Sequence, residues 1–180
     1  IKEYVENTKS KGVVIGNSGG KDCAAVIALA TKALGKERVL TIAMPCNSIK
    51  ADLEDAKLVS NNFEVPLLEI DLTDTYKTLE NEINQKVELK EESKINIKPR
   101  IRMTTLYAIA QSLDYLVIGT GNKCESTVGY TTKWGDGAHD FNPIGEFTVE
   151  EVLQIGQYLG VPEKIIKKAN FKMNNYISGN

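Results

Sequence analysis

The sequence predicts an α/β domain with a doubly wound, mostly parallel sheet and helices on both faces. Short runs rich in Val, Ile and Leu alternate with segments of helical length, which is the pattern of consecutive βαβ units. The 180 residues are the size of one domain, and no internal repeat or Gly/Ser/Pro-rich linker divides them. We therefore expect a single domain over residues 1–180.

The opening stretch IKEYVENTKS has the pattern of an amphipathic helix. Four strands, each bounded by Gly, Pro or polar residues, are predicted at residues 11–15, 38–44, 65–70 and 115–118. Between them, helices are predicted at residues 22–34, 49–62, 73–89 and 97–113. Because ligands bind beyond the carboxyl ends of parallel strands, we expect the chemistry in the polar segments that follow the first, second and fourth strands.

The C-terminal part of the sequence has a different character. A long polar loop with several glycines and aromatic residues follows Glu125, and loops of that length are usually functional or disordered. Residues 148–159 then begin with a T-x-x-E capping box formed by Thr148 and Glu151, which predicts a helix. A second short helix is predicted at residues 162–169.

Composition excludes several functional classes. The chain has 22 Lys and Arg against 24 Asp and Glu and a net charge of -2, which disfavours nucleic acid as a main partner. No apolar run is long enough to predict a membrane span, and the first residues do not resemble a signal peptide. Three cysteines without CxxC spacing support neither a disulfide framework nor a zinc site. We expect a cytoplasmic protein.

The stretch VVIGNSGGKDCAAVIALA, residues 13–30, has the form of a phosphate loop but matches neither common glycine pattern. A Walker loop would need glycine where Ile15 stands and a hydroxyl where Asp22 stands. A dinucleotide fingerprint fails because Ser18 occupies the place of its second glycine. Both of these nucleotide-binding interpretations are excluded.

What remains is a strand, a Ser-Gly-Gly turn and an aspartate in the first turn of a helix. Glycines and a helix N-terminus can bring N–H groups to an anion, and an aspartate tolerates that anion when a divalent cation lies between them. The loop therefore favours a pyrophosphate site with Mg²⁺ held by Asp22. In the alternative interpretation, the glycines only turn the chain and Asp22 caps the helix.

The second half of the chain adds charged residues near the same predicted rim. Glu125 follows the fourth strand, and two carboxylates from different strands suit a magnesium–phosphate site. Arg100 and Arg102 are two residues apart on a predicted helix, so we expect them to serve different partners. The long loop contributes further charged residues, Lys133, Asp136 and Asp140.

These motifs carry a resemblance to a known family. SGGKDC is similar to the SGGxDS loop of the ATP pyrophosphatase (PP-loop) superfamily, whose members cleave ATP between its α and β phosphates. IRM, LYAIA, GTGNKCE, GYTTKWGDGAHDFNPIGEFT and YLGVPEKIIKKA, in this order, resemble the ammonia-dependent NAD synthetases, and MPCNS is similar to their nucleotide-side segment. The resemblance covers residues 12–169.

The resemblance implies a Rossmann-like fold of the adenine nucleotide α hydrolase type and a homodimer. It implies ATP-dependent amidation of deamido-NAD by ammonia through an adenylated carboxylate, with Asp22 and Glu125 as catalytic residues that hold Mg²⁺. The implied ATP-binding residues are Gly16, Asn17, Ser18, Gly19, Gly20, Lys21, Asp22, Cys23, Met44, Arg102 and Thr120. The implied deamido-NAD-binding residues are Arg100, Lys133, Asp136 and Asp140.

The sequence departs from the family pattern at three places. Cys23 replaces the final serine of the loop, and Val149 stands where the family usually has a lysine. After IIKKA the family usually continues with a proline-serine loop and further helices, whereas this sequence has only NFKMNNYISGN. We expect residues 170–180 to follow a disordered segment that is missing from this sequence; a truly shortened chain is the alternative.

Two other functions stay open on the sequence alone. The first is another PP-loop ATP pyrophosphatase that adenylates a different acceptor. The second is a nucleotide-binding module without catalytic activity, which the changes at Cys23 and Val149 and the short tail would suit.

Overall fold

A computed structural model of the chain describes residues 1–47 and 50–168. Its centre is a four-stranded sheet in the order β3-β2-β1-β4, in which all neighbours run parallel. The strands are β1 (Gly12–Gly16), β2 (Val39–Ala43), β3 (Leu67–Glu69) and β4 (Tyr115–Ile118). The predicted parallel α/β fold is therefore confirmed.

The helices connect the strands and continue beyond them. They are α1 (Lys2–Asn7), α2 (Lys21–Leu34), α3 (Lys50–Asn62), α4 (Thr73–Asn84), α5 (Glu91–Leu113), α6 (Lys123–Val128), α7 (Val149–Tyr158) and α8 (Glu163–Ile166). A short 3₁₀ turn, Lys36–Arg38, leads into β2. Across the described ranges, no helix is both long and apolar enough to cross a lipid bilayer.

Successive side chains of β1 and β2 point to opposite faces of the sheet, and each face carries its own hydrophobic core. Val13 and Ile15 pack with α2, α7 and α8, whereas Val14 packs with Leu72 and Tyr76 around α4 and with α5. Because successive strand side chains point to opposite faces, a strand buried on both sides reads as a continuous apolar run. This is the predicted arrangement of helices on both faces.

The predicted bounds of α4 and α5 were wrong, and one helix was missed. Helix α5 begins at Glu91, six residues before the predicted start, because Glu91 and Glu92 suit its first turn and the helix accommodates Pro99. Helix α4 ends at Asn84, whose side chain accepts the N–H of Leu89 at 2.9 Å and turns the chain there. Helix α6 was not predicted.

The sheet order reverses between β1 and β4, since β2 and β3 lie on one side of β1 and β4 lies on the other. In parallel sheets such a switch point opens a crevice at the carboxyl ends of the two strands. The segments 17–20 and 119–122 leave the sheet at this crevice. The expectation about residues 170–180 lies outside the described residues and stays a prediction.

Candidate active site

The phosphate loop, residues 17–20, connects β1 to the N-terminus of α2. Gly19 has φ +71°, a left-handed conformation that favours glycine, and Gly20 is the extended N-cap residue. Among the residues that the structure describes, no side chain caps α2, whereas side chains cap both α6 and α7. N–H groups at such a helix start can bind an anion, so this geometry is compatible with the phosphate site, which stays a prediction.

Asn17 fixes the shape of the loop from beneath. Its side chain is buried and donates to the carbonyl of Ala56 and the hydroxyl of Ser60, both at 3.0 Å. Its oxygen accepts the N–H of Gly19 at 3.0 Å. The Asn17 side chain is thus occupied by bonds within the protein and holds the shape of the loop, and its predicted role in ATP binding stays a prediction.

Cys23, the departure from the family serine, faces the inside of the loop. Its thiol is buried and donates to the carbonyl of Gly20 at 3.0 Å, and its sulfur lies 3.4 Å from the hydroxyl oxygen of Ser18. Burial raises the pKa of the Cys23 thiol. The thiol therefore replaces a hydroxyl as an internal partner of the turn, while Ser18 is exposed.

A polar cluster joins the two strands at the crevice. Asn122 is buried, and its side-chain N–H donates to the Asp22 carboxylate at 3.3 Å. The Asn122 side-chain oxygen accepts the backbone N–H of Glu125 at 3.1 Å, and the Glu125 carboxylate accepts the backbone N–H of Asn122 at 3.0 Å. Asn122 thus links both predicted metal ligands, and the sequence motifs did not single it out.

The two carboxyls share an environment that disfavours negative charge. Burial raises the pKa of Asp22, against the hydrogen bond from Asn122 and the positive charge of Lys21. Burial also raises the pKa of Glu125, and the charges of Asp22 and Asp136 add to that effect. A divalent cation between the carboxylates would relieve both effects.

This donor set fits magnesium rather than a fully enclosed protein metal site. No group of three or more His, Cys, Asp or Glu side chains capable of holding a metal occurs in the described part of the chain. Mg²⁺ is usually bound by one or two carboxylates, with substrate phosphates and water completing the octahedron. Asp22 and Glu125 beside a phosphate loop match that pattern.

The other predicted ATP residues lie near the ends of β1, β2 and β4. Met44 is buried next to Gly16, at which an added Cβ would lie 3.6 Å from the Met44 Cε. Arg102 donates through Nε to the backbone oxygen of Met44 at 3.0 Å, so its position is fixed to the end of β2. Thr120 is half-buried in the segment between β4 and α6.

Two of the predicted deamido-NAD-binding residues are in contact: Arg100 of α5 and Lys133 of the long loop. Arg100 donates to the backbone oxygen of Lys133 at 3.2 Å, and the Lys133 ammonium lies 5.8 Å from the centre of the Trp134 ring. Arg100 and Arg102 have different partners, as their spacing predicts. Asp136 is exposed and accepts the N–H of Thr132 at 2.8 Å.

Asp140 lies at the edge of the sheet rather than with this group. Its carboxylate accepts the N–H of Val117 at 2.7 Å and the hydroxyl of Tyr107 at 3.3 Å. Burial and the Asp140 charge raise the pKa of Tyr107 to about 12. The carboxylate therefore holds the long loop against β4 and α5, and its predicted contact with deamido-NAD stays a prediction.

Comparison with known proteins shows the family of this chain. The family model described as NAD synthase matches residues 1–171. An NH(3)-dependent NAD(+) synthetase from Carboxydothermus hydrogenoformans is 43% identical over 171 residues, covering 94% of this chain and 70% of the relative. The chain belongs to the NAD synthase family. Ammonia-dependent formation of NAD is the function of this family of ligases.

Two solved structures of similar proteins share the fold. An NH3-dependent NAD synthetase from Campylobacter jejuni is 39% identical with a TM-score of 0.85, covering 93% of this chain and 72% of that one. An NMN synthetase from Francisella tularensis is 32% identical with a TM-score of 0.88, covering 94% of this chain and 70% of that one. The chain spans between 60% and 70% of the length of several curated NH(3)-dependent NAD(+) synthetases that it resembles.

Asn122 could have been found in the sequence from its spacing to Glu125. The N-x-x-E pattern after a strand is a capping box, the same signal that located α7 at Thr148. This pattern predicts the two hydrogen bonds of the capping box, but it does not predict the hydrogen bond from Asn122 to Asp22. That bond depends on the pairing of β1 with β4, which brings together residues 100 positions apart.

Proposed function

We propose that this chain forms NAD from deamido-NAD, ATP and ammonia. The observation that carries the proposal is the pair of carboxylates, Asp22 and Glu125, that Asn122 joins beside the uncapped N-terminus of α2. That combination suits a magnesium-bound polyphosphate. Membership of the NAD synthase family supports the choice of acceptor and nitrogen donor.

The phosphate loop would bind the ATP phosphates through backbone N–H groups of residues 18–22 and the ammonium of Lys21. Burial raises the pKa of both Asp22 and Glu125, and the positive charge of Lys21 acts against that shift at each carboxyl, so Lys21 acts at the same place as the carboxylates. Arg102 and Met44 would line the nucleoside side, and Thr120 would approach from β4. These roles follow the family resemblance and the positions described above.

Asp22 and Glu125 would hold Mg²⁺ as two of its ligands. The bound cation would neutralise charge on the phosphate oxygens, which favours loss of pyrophosphate. Asn122 would keep the Asp22 carboxylate oriented towards the cation. The protein would thus contribute by orienting this carboxylate and the N–H groups of the phosphate loop.

The reaction proposed for the site is activation of a carboxylate followed by amide formation. An oxygen of the nicotinate carboxylate attacks the α phosphorus of ATP, the bond to the bridging oxygen breaks, and pyrophosphate leaves. Ammonia then attacks the carbonyl carbon of the acyl adenylate, loses a proton, and AMP leaves with the carboxylate oxygen. Positioning and charge neutralisation suffice for both steps, so no nucleophilic side chain is needed.

Arg100, Lys133 and Asp136 would bind deamido-NAD, with Asp140 at the edge of the same loop. Trp134 beside them is 68% exposed, and a second copy of the chain would enclose this open side. We therefore include a homodimer in the proposal. No disulfide joins Cys23, Cys46 and Cys124 in the described part of the chain, which supports a cytoplasmic location.

The test is an assay of the full chain with ATP, Mg²⁺, ammonium and deamido-NAD, in which NAD, AMP and pyrophosphate are quantified. We expect the three products in equal amounts. A parallel reaction replaces deamido-NAD with nicotinate mononucleotide, the acid that amidation would convert to NMN, because one similar structure is an NMN synthetase. We expect deamido-NAD to be the preferred acceptor.

Other outcomes select the alternative functions. Pyrophosphate without NAD would indicate a PP-loop enzyme with a different acceptor, and the absence of both would favour a nucleotide-binding module. Asp22→Ala and Glu125→Ala should each abolish turnover. Glu151→Ala removes a capping carboxylate of the same geometry on α7 and should stay active.

A further inference from the structure

A buried carboxylate lies beneath the phosphate loop and is paired with lysines from the C-terminal end of the described chain. Asp55 of α3 is 4% exposed. Lys164 reaches one of its oxygens at 2.5 Å and Lys168 reaches the other at 2.9 Å. Burial acts to raise the pKa of Asp55, but the bonds from the two lysines outweigh it and the pKa is lowered. The carboxylate is therefore charged and neutralised in place.

The phosphate loop rests on the same part of α3. A Cβ added at Gly19 would lie 2.6 Å from the backbone oxygen of Asp52 and 2.7 Å from the Cβ of Asp55, so the loop backbone touches the helix. Asn17 donates to Ala56 one residue further along α3. Movement of this part of α3 would therefore move the loop.

Lys168 contacts the loop and α3 together. Its ammonium lies 2.9 Å from the Asp52 carboxylate, 2.9 Å from the Asp55 carboxylate and 3.5 Å from the backbone oxygen of Gly19. Because a peptide unit is planar and trans, a fixed Gly19 carbonyl also fixes the direction of the Gly20 N–H, which points away from Lys168. Gly20 is the N-cap of α2, where an anion would bind.

We propose that Lys168 is a positioning residue for ATP binding: it holds the Gly19–Gly20 peptide against Asp52 and Asp55 so that the loop N–H groups face the phosphates. The inference rests on the proposed function, in which this loop binds ATP. Lys168 itself does not touch the reacting atoms. Its effect should therefore fall on ATP affinity and leave deamido-NAD affinity unchanged.

The neighbouring lysine provides a matched control. Lys167 is exposed and forms an ion pair with Glu163, within the same segment and without contact to the loop. Lys167→Met and Lys168→Met remove the same charge from adjacent positions. Lys168→Arg keeps the positive charge and tests whether a cation at this position is enough to maintain ATP affinity.

The experiment measures the dissociation constant of ATP with Mg²⁺ by calorimetry, the KM of ATP and of deamido-NAD, and the melting temperature. For Lys168→Met we expect ATP binding to weaken about tenfold, the scale of a lost charged hydrogen bond, with the KM of deamido-NAD within about twofold of wild type. Lys168→Arg should recover most of the ATP affinity. Lys167→Met should match the wild type.

Unchanged ATP affinity in a folded Lys168→Met variant would overturn the inference while leaving the proposed function intact. An equal rise of both KM values would also overturn it, because that is the result of a general structural role. If Lys168→Met does not fold, the charge-balanced pair Asp55→Asn with Lys168→Met takes its place, and wild-type ATP affinity in that pair would refute the role. A wild-type chain that binds no ATP would overturn the proposed function and the inference with it.

Discussion

Asn122 donates a side-chain hydrogen bond to Asp22 across 3.3 Å, although the two residues are 100 positions apart in the chain. The same amide accepts the N–H of Glu125 at 3.1 Å. One buried side chain therefore links the carboxylate that follows β1 to the carboxylate that follows β4. The geometry of the proposed magnesium site depends on this link.

Asn122→Ala should lower both stability and activity. Loss of the cap on α6 should cost about 1 kcal/mol of the free energy of unfolding. Loss of the bond to Asp22 should also lower kcat/KM about tenfold or more, because a carboxylate free to rotate is a poorer ligand. Denaturant unfolding and steady-state kinetics measure the two effects separately.

Thr148→Ala is the control, since Thr148 and Glu151 form the same capping box on α7, where Thr148 accepts the N–H of Glu151 at 3.3 Å. It should cost a similar free energy of unfolding and leave kcat/KM near wild type. Equal activity in the Asn122→Ala and Thr148→Ala variants would show that Asn122 contributes only its cap.

Asp22→Asn should abolish turnover and stabilise the fold at neutral pH without Mg²⁺. Because the pKa of Asp22 is raised in the folded state, the folded state binds this proton more tightly than the unfolded state. The free energy of unfolding of the wild type therefore falls as pH rises from the ordinary carboxyl pKa, about 4, through the raised value. Asp22→Asn has no titrating carboxyl at this position, so its free energy of unfolding does not fall in this way.

Melting temperatures from about pH 4 to pH 8 test the linkage. We expect the variant to melt above the wild type at neutral pH, and the difference to shrink as pH falls towards the ordinary carboxyl value. Mg²⁺ should raise the melting temperature of the wild type more than that of the variant. A wild type that is the more stable protein at neutral pH without Mg²⁺ would contradict the assigned pKa shift.

Gly19→Ala should disrupt the loop through steric overlap as well as backbone strain. Gly160→Ala is the control, because Gly160 has φ +81° with no atom within 4 Å of an added Cβ, whereas at Gly19 that Cβ would lie 2.6 Å from a backbone oxygen. We expect about 1 kcal/mol of destabilisation at Gly160 and about 2 kcal/mol more at Gly19, with ATP binding lost only at Gly19. Similar losses at both sites would argue against contact between the loop and α3.

The three thiols should differ in reactivity. Burial raises the pKa of both Cys23 and Cys46, while Cys124 is partly exposed on α6. Iodoacetamide should therefore modify Cys124 at least about tenfold faster than the other two in the native chain, as measured by peptide mapping. Unfolding should equalise the rates, and fast native labelling of Cys23 would place its thiol outside the loop.

The sequence predicted those parts of the fold that depend on local pattern. Apolar runs located β1, β2 and β4 to within about a residue or two, and the Thr148 capping box located α7. The start of α5 was predicted six residues too late, at residue 97, whereas the helix begins at Glu91 and continues through Pro99. The sequence pattern does not show whether the acidic residues Glu91 and Glu92 start the helix or whether it starts near Pro99.

The candidate site was predictable where a motif lies within one segment. SGGKDC located the loop, and Glu125 was assigned to the same rim because both strands end there. The bonds that shape the site join distant segments, as in the contact of Lys168 with Asp55, which spans 113 positions. Such pairs depend on how helices pack on the sheet, and no local spacing encodes them.

The most direct test of the central claim follows an oxygen atom from the carboxylate. Deamido-NAD labelled with ¹⁸O in its nicotinate carboxylate is incubated with the full chain, ATP, Mg²⁺ and ammonium, and the products are examined by mass spectrometry. Attack of the carboxylate on the α phosphorus predicts one ¹⁸O atom in AMP and none in pyrophosphate. NAD formed together with unlabelled AMP would contradict the proposed adenylation.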